Sequence, residues 1–175
     1  MTNDAVGTAS ARQQRLRTPA HRVSSKAIWM WTAKALLGWI VAIGVQLAIW
    51  LGNDDTVTNY LFGITLVISA VLAIGHVLVM PQWRYRVHRW ESTEDAVYTQ
   101  TGWLTVEWRV APVSRIQTVD TKRGPVEQLF KLATVTVTTA SAAGPLEIAG
   151  MDAALAVRLV DELTAITQAV PGDAT

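Results

Sequence analysis

From Tyr60 to Met80 the chain runs for 21 residues without an Asp, Glu, Lys or Arg. As a helix rising about 1.5 Å per residue, such a run reaches about 30 Å, the thickness of a bilayer's hydrocarbon core. It feeds directly into Pro81-Gln82-Trp83-Arg84-Tyr85-Arg86-Val87-His88-Arg89-Trp90. A helix-stopping proline, interfacial aromatics and three arginines there mark the exit from the membrane on its positively charged side. The run divides the chain into a membrane part before it and a water-soluble part after it, and about 90 residues downstream suffice for one small domain.

A first span is expected from about Ala27 to Leu51, with Trp29 and Trp31 at one interface and Trp50 at the other. Lys34 is its one formal charge, two turns from its start, where a long stem lets the ammonium snorkel to the headgroups. An intramembrane ion pair or proton relay would need an acid at membrane depth, and neither span contains one. Between the spans, Gly52 to Asn59 holds Asp54 and Asp55 and no Lys or Arg, whereas both outer flanks are rich in arginine. Basic residues stay in the cytoplasm, so both termini are expected inside, in a multi-pass protein of the cell membrane.

Residues 1–26 are small, polar and basic, with Arg12, Arg15, Arg17, Arg22 and Lys26, and are expected to be a disordered cytoplasmic tail. They are not read as a signal peptide, because the apolar segment that follows is of span length and has no small-residue cleavage site before the acidic loop. The absence of cysteine from the sequence excludes a disulfide framework, a thiol nucleophile and a Cys-based metal site. The net charge of +1 conceals an asymmetry: residues 1–90 hold nine Lys/Arg against three Asp/Glu, and residues 91–175 hold six against eleven. An acidic soluble part argues against nucleic-acid binding and against broad adhesion to anionic lipid.

From Arg84 onward the long apolar runs give way to short alternating ones separated by turn residues, the pattern of strands. Strands are expected at Tyr85–Trp90, Ala96–Thr99, Trp103–Val110, Ser114–Thr121, Ala133–Thr139 and Pro145–Ala149. In the third, Leu104, Val106, Trp108 and Val110 would form the buried face and Thr105, Glu107 and Arg109 the solvent face. A closing helix capped by Asp152 would put Leu155, Leu159, Leu163 and Ile166 on one face, with Arg158, Asp161 and Glu162 away from it, and end at Pro171-Gly172. Short antiparallel strands followed by one apolar-faced helix give a small bent sheet or open barrel plugged at one end.

The order of two spans, then Trp-Arg-Tyr-Arg-Val-His-Arg-Trp-Glu, then Gly-Trp-Leu-Thr-Val-Glu-Trp-Arg-Val-Ala-Pro-Val-Ser-Arg-Ile-Gln-Thr-Val-Asp and Leu-Ala-Thr-Val-Thr-Val-Thr-Thr-Ala resembles the YdbS-like membrane proteins with a bacterial pleckstrin-homology (PH) domain. The resemblance covers about residues 28–168. Its most specific part is Arg115-Ile116-Gln117 after Pro112, then Gly124-Pro125-Val126, a short helical turn and the Leu132–Ala140 strand. It implies an α+β membrane protein: a two-helix transmembrane hairpin followed by a PH-like antiparallel β-barrel or sandwich with a C-terminal capping helix. It also implies a cytoplasmic position and a family without an established catalytic activity. The resulting division is a tail at 1–26, a hairpin at 27–80 (spans 27–51 and 60–80), a PH-like domain at 81–170 and a tail at 171–175. Such proteins often place glycine where this chain has Lys131, and a left-handed backbone there would cost lysine about 1 kcal/mol, so a different local turn is expected.

No enzymatic chemistry, metal site or cofactor is expected. His88 lies in a run of arginines at the membrane edge and reads as an interfacial strand residue; His76 reads as packing against the first span. Gly102, Gly124 and Gly144 stand singly, which is not the pattern of a phosphate-cradling loop. The loop in which eukaryotic PH domains collect cations for inositol phosphates is here Glu91-Ser92-Thr93-Glu94-Asp95, whose three acids would repel that ligand. Arg84, Arg86, Arg89, Lys122 and Arg123 are the candidate contacts to lipid or a partner. The favoured reading is a non-enzymatic interaction or scaffolding module holding a membrane protein partner, with other PH-like family members among the candidates; the alternative is a component of a membrane transporter or enzyme complex acting through its spans.

Within the hairpin, Gly38, Ala42 and Gln46 recur every four residues, as do Thr65, Ser69 and Ala73. Pairing 38 with 73, 42 with 69 and 46 with 65 centres the turn on the acidic loop and predicts close packing of small residues, with Gln46 reaching Thr65.

Overall fold

The structure, a computed structural model, describes residues 18–141 and 144–169. Residues 1–17, most of the expected basic tail, and residues 170–175, with Pro171 and Gly172, lie outside the described residues. The element order is β1 (His21–Arg22), α1 (Lys26–Leu51), α2 (Thr56–Val87), β2 (Arg89–Ser92), β3 (Ala96–Gly102), β4 (Val106–Pro112), a 3-10 turn (Val113–Arg115), β5 (Ile116–Lys122), α3 (Pro125–Leu129), β6 (Leu132–Thr139), β7 (Leu146–Asp152) and α4 (Ala153–Ala169).

The two long helices form an antiparallel hairpin, both apolar enough to cross a membrane and both with nearly all of their spanning surface unburied by protein. α2 starts a turn earlier than the apolar run because Asp55 caps it: its carboxylate accepts from the Thr58 N–H at 2.8 Å and the Thr58 hydroxyl at 2.6 Å. Those two bonds hold the Asp55 carboxyl below its usual range, so the loop keeps its negative charge. At the other end Pro81 does not stop the helix, which continues to Val87 with Pro81 buried. A proline costs an interior helix one hydrogen bond. Here the ladder resumes beyond it, the His88 N–H closes it on the Arg84 carbonyl, and Arg84 and Arg86 complement the helix C-terminus. The strand expected at Tyr85–Trp90 is therefore helix to Val87, and β2 begins at Arg89.

The strands form two antiparallel sheets, β1-β2-β3-β4 and β5-β6-β7, which are not closed into a barrel. α4 packs on the second sheet through Ala156, Leu159 and Leu163, with Asp152 accepting from the Ala154 N–H at its start. Leu155, expected on that face, is exposed at its margin, and Ala156 takes the place on the buried stripe with Leu159 and Leu163. β4 is inverted relative to its expected faces: Ala111 is buried beside Val97, while Val110 and Trp108 point outward. Alternation assigns two faces but not which one turns inward, and here the pairing with Val97 and Thr99, both buried, decides it.

The core does not respect the boundary expected at residue 81. Val23, Ala27, Met30 and Trp31 are buried together with Trp90, Leu132, Val135, Ile148, Met151 and Leu163. The end of the expected tail is also ordered: His21 and Arg22 pair with Trp90 and Arg89. The first helical turns of α1 and the residues before it thus belong to the soluble domain's core, and only the rest of the helix is free to meet lipid.

Candidate functional site: the seam between the hairpin and the PH-like domain

A β-bulge creates the seam. In the β6–β7 ladder Ala133 faces Met151 and Val135 faces Ile148, so Ala149 and Gly150 oppose a single residue. Gly150 takes φ +79°, a conformation that favours glycine, and a Cβ placed on it would lie 2.7 Å from the Ala27 Cβ. The Gly150 carbonyl accepts from the Ser24 N–H at 3.0 Å. Two small residues, Ala27 and Gly150, therefore let the start of α1 press against β7, with Trp31 beside them.

Two ion pairs flank this contact. Lys26 Nζ lies 3.2 Å from Asp152, and Lys34 Nζ lies 3.3 Å from Glu127. Lys34, expected to snorkel alone, thus has an acid after all, brought by α3 rather than by a span. Burial on its own would raise the Glu127 carboxyl; the Gly124 N–H, the Lys34 ammonium and the Thr134 hydroxyl outweigh it and hold the group below its usual range. The Lys26 ammonium and the Ala154 N–H do the same for Asp152. Both acids stay charged at neutral pH, although pairs this exposed contribute about 1 kcal/mol or less.

On the α2 side, His88 is 3% exposed, its ring centroid 4.9 Å from that of Trp31. The Arg84 guanidinium sits over the Trp31 ring at 4.9 Å and donates from Nε to His88 Nε2 at 3.4 Å. His88 Nδ1 lies 2.8 Å from the Arg84 carbonyl, which makes Nδ1 the donor and Nε2 the acceptor: the neutral imidazole satisfies both contacts. Burial, reinforced by the Arg84 charge, pushes the His88 pKa down to about 4. The residue expected as an interfacial strand position is instead a buried, uncharged cap between the two helices and the domain.

The candidate cations have different fates. Arg84 is spent on Trp31 and His88. Arg89 donates to the Pro19 carbonyl at 3.4 Å, and Arg123 to the Leu132 carbonyl at 3.1 Å. Arg86 and Lys122 are exposed. These five do not form one patch by any contact among themselves in the described residues.

Lys131 keeps the left-handed backbone, φ 55°, and is the non-glycine residue with positive φ among those described. It follows the C-cap of α3, a position that favours αL, and its carbonyl accepts from the Ala153 N–H at the start of α4 at 3.0 Å. The turn is therefore not remodelled for lysine, and the Lys131 carbonyl ties the end of α3 to the start of α4.

In the hairpin, Gln46 donates to Ser69 at 3.0 Å, and Trp39 Nε1 donates to His76 Nδ1 at 3.0 Å. Both pairs have numbers adding to 115, so the helices are shifted by one turn from the expected register of 111. Thr65 is exposed and donates to its own Phe62 carbonyl, while Gly38 has nothing within 4 Å of where a Cβ would stand. Ser69 and Ala73 are partly covered, but Gly38 and Ala42 lie on the outer face, because the bulkier Trp39 and Ile43 occupy the contact. His76 does pack on the first helix, and it also meets Trp103, at the β3–β4 turn, edge to face at 5.7 Å between ring centroids.

Among the described residues β4 is the last strand of its sheet, and Trp108 is 51% exposed on it; a groove there is lined by Trp108, Val110, Pro112, Arg115, Thr139 and Ser141. Arg109 reaches across from β4 to the Gly144 and Pro145 carbonyls at 2.7 and 2.6 Å, tying the first sheet to the β6–β7 turn.

The family model described as "Bacterial PH domain" matches residues 28–167, most of the chain. The chain belongs to the bacterial PH domain family. The match starts inside α1, in agreement with the helix packing into the domain core. Among curated proteins, the UPF0699 transmembrane protein YdbS of Bacillus subtilis (strain 168) is 26% identical over 158 residues, covering 89% of this chain and 97% of that protein. No solved structure matches. With two apolar helices and this family assignment, the chain is a YdbS-like membrane protein carrying a PH-like domain.

Proposed function

We propose that this protein is a non-enzymatic scaffold of the cell membrane that presents its PH-like domain at the cytoplasmic face, with both termini inside, and there holds another membrane protein. The observation that carries this reading is the seam: Ala27, Met30 and Trp31 of the first helix are core residues of the domain. A freely tethered domain would leave these residues to lipid or water, whereas here the hairpin and the domain share one core, so the domain faces the bilayer in a defined pose. A defined pose is what a module needs in order to offer one face to a neighbour in the same membrane. The β4 edge, the last of its sheet among the described residues and carrying outward Trp108 and Val110, supplies such a face, since an extended partner segment can add to a sheet edge.

The test uses the full chain in its native membrane, with a photo-crosslinking amino acid at Trp108 and, as a control, at exposed Arg158 on α4. The reading expects a membrane protein crosslinked from position 108 and not from 158, and lost in V110E. Equal crosslinking from both positions, or none from 108 with the protein folded and inserted, would contradict it.

A further inference from the structure

We infer that the β3–β4 hairpin tip is a lipid-dipping wedge, a third membrane contact beside the two helices. The pairs Trp39–His76 and Gln46–Ser69 set the helix register, which brings Lys34 level with Pro81. Ala35, the first residue of the charge-free stretch of α1, is then level with Met80, the last residue of the charge-free run of α2. One plane through these residues bounds the apolar slab on the domain's side. His76 lies four residues deeper, about 6 Å at the rise of a helix. Trp103 touches His76, so the tip of the hairpin reaches below that plane.

The tip is built for that position. Thr101-Gly102-Trp103-Leu104-Thr105-Val106 carries no charge, within a domain that is otherwise acidic. Leu104 is 84% exposed, and Trp103 is of the residue type that belongs at the headgroup boundary. Gly102 makes the turn possible: its φ is +136°, and a Cβ there would stand 1.9 Å from the Thr105 carbonyl oxygen. In water the projecting leucine would only lose free energy; at a depth of several ångströms in the interface it buries its side chain among acyl chains. This occupant is the protein's own bilayer, because the tip is already packed on a spanning helix.

The inference rests on the helices crossing the membrane, and the experiment separates the two claims. The chain lacks native cysteine, so single L104C, E94C and V71C variants of the full chain can be labelled with an environment-sensitive fluorophore and reconstituted in vesicles containing brominated lipid. Position 94 is at the opposite end of β3, and position 71 is mid-span and exposed on its helix. The expected result is blue-shifted emission and quenching by brominated lipid at 71 and 104, with water-like emission and iodide quenching at 94. Lipid quenching at 71 but water-like emission at 104 overturns the wedge alone; no lipid quenching at 71 overturns the membrane reading itself. A label at 104 shielded from both lipid and iodide, with energy transfer between copies, would mean that a second copy covers the tip, and also refutes the proposal.

Discussion

Protonation of His88 should loosen the seam. The ring is neutral in the fold, with its pKa lowered from about 6.5 to about 4 by burial and by the Arg84 charge. A proton on Nε2 would break the bond from Arg84 Nε and set a second positive charge beside the guanidinium. The unfolded state takes up that proton first, so stability is full above about pH 6.5 and is lost as the pH falls towards 4, where the loss levels off. At 1.36 kcal/mol per pKa unit the depression corresponds to about 3 kcal/mol, of which about half is reached by pH 5. The carboxylates Glu127 and Asp152, held below their ordinary values, lose their contribution only further down, which leaves the window from pH 6.5 to 5 to the histidine. Hydrogen exchange of β2 and β7 amides in detergent or nanodiscs, corrected for the intrinsic pH dependence, reads the opening free energy. The wild type should lose about 1 to 2 kcal/mol between pH 7 and 5, and H88Q, which keeps a donor and an acceptor but does not titrate, should not. Equal pH slopes in the two proteins, or a His88 resonance titrating near 6.5, would refute the reasoning.

K131G should stabilise the domain by about 0.5–1 kcal/mol, because glycine adopts the left-handed turn without lysine's steric penalty; an unchanged or lowered unfolding midpoint would contradict this. G150A should destabilise by about 2 kcal/mol or more, through both the positive φ and the clash with Ala27. Adding A27G should recover only the clash, and full additivity of the two changes would show that they do not touch. In the hairpin, the cysteine pair Q46C with S69C should crosslink readily and Q46C with T65C should not, and the opposite pattern would restore the register one turn away.

Much of this architecture is legible in the residues themselves. The charge-free runs locate the helices, the Asp152 cap locates α4, and alternation with turn residues locates the strands. Three things are hidden, each for a physical reason. Helix periodicity reports an apolar surface without saying whether protein or lipid covers it, so Trp31 reads as an interfacial residue although it is 3% exposed inside the domain. The stripe Ala27, Met30, Trp31, Ala35, flanked by Lys26 and Lys34, carries the signal, since its small first member and bordering cations suit packing on protein. A strand's alternation is symmetric, so it reads Trp108 as inward, whereas pairing with buried Val97 and Thr99 puts Ala111 and Arg109 on that side. Ion pairs that join distant segments, such as Lys34 with Glu127, have no local sequence pattern at all. Pro81 illustrates the reverse case: a strong local rule is overridden by the packing around a buried proline at the base of the seam.

The central claim, a PH-like domain held at the inner face of the cell membrane, is tested most directly by topology. Single cysteines at Thr56, exposed at the start of α2 beside the acidic loop, and at Glu94, on the domain surface, report the two sides in intact cells treated with a membrane-impermeant maleimide. The account predicts labelling of T56C in intact cells and of E94C only after permeabilisation. Labelling of E94C in intact cells, with T56C protected, would place the domain outside and contradict it.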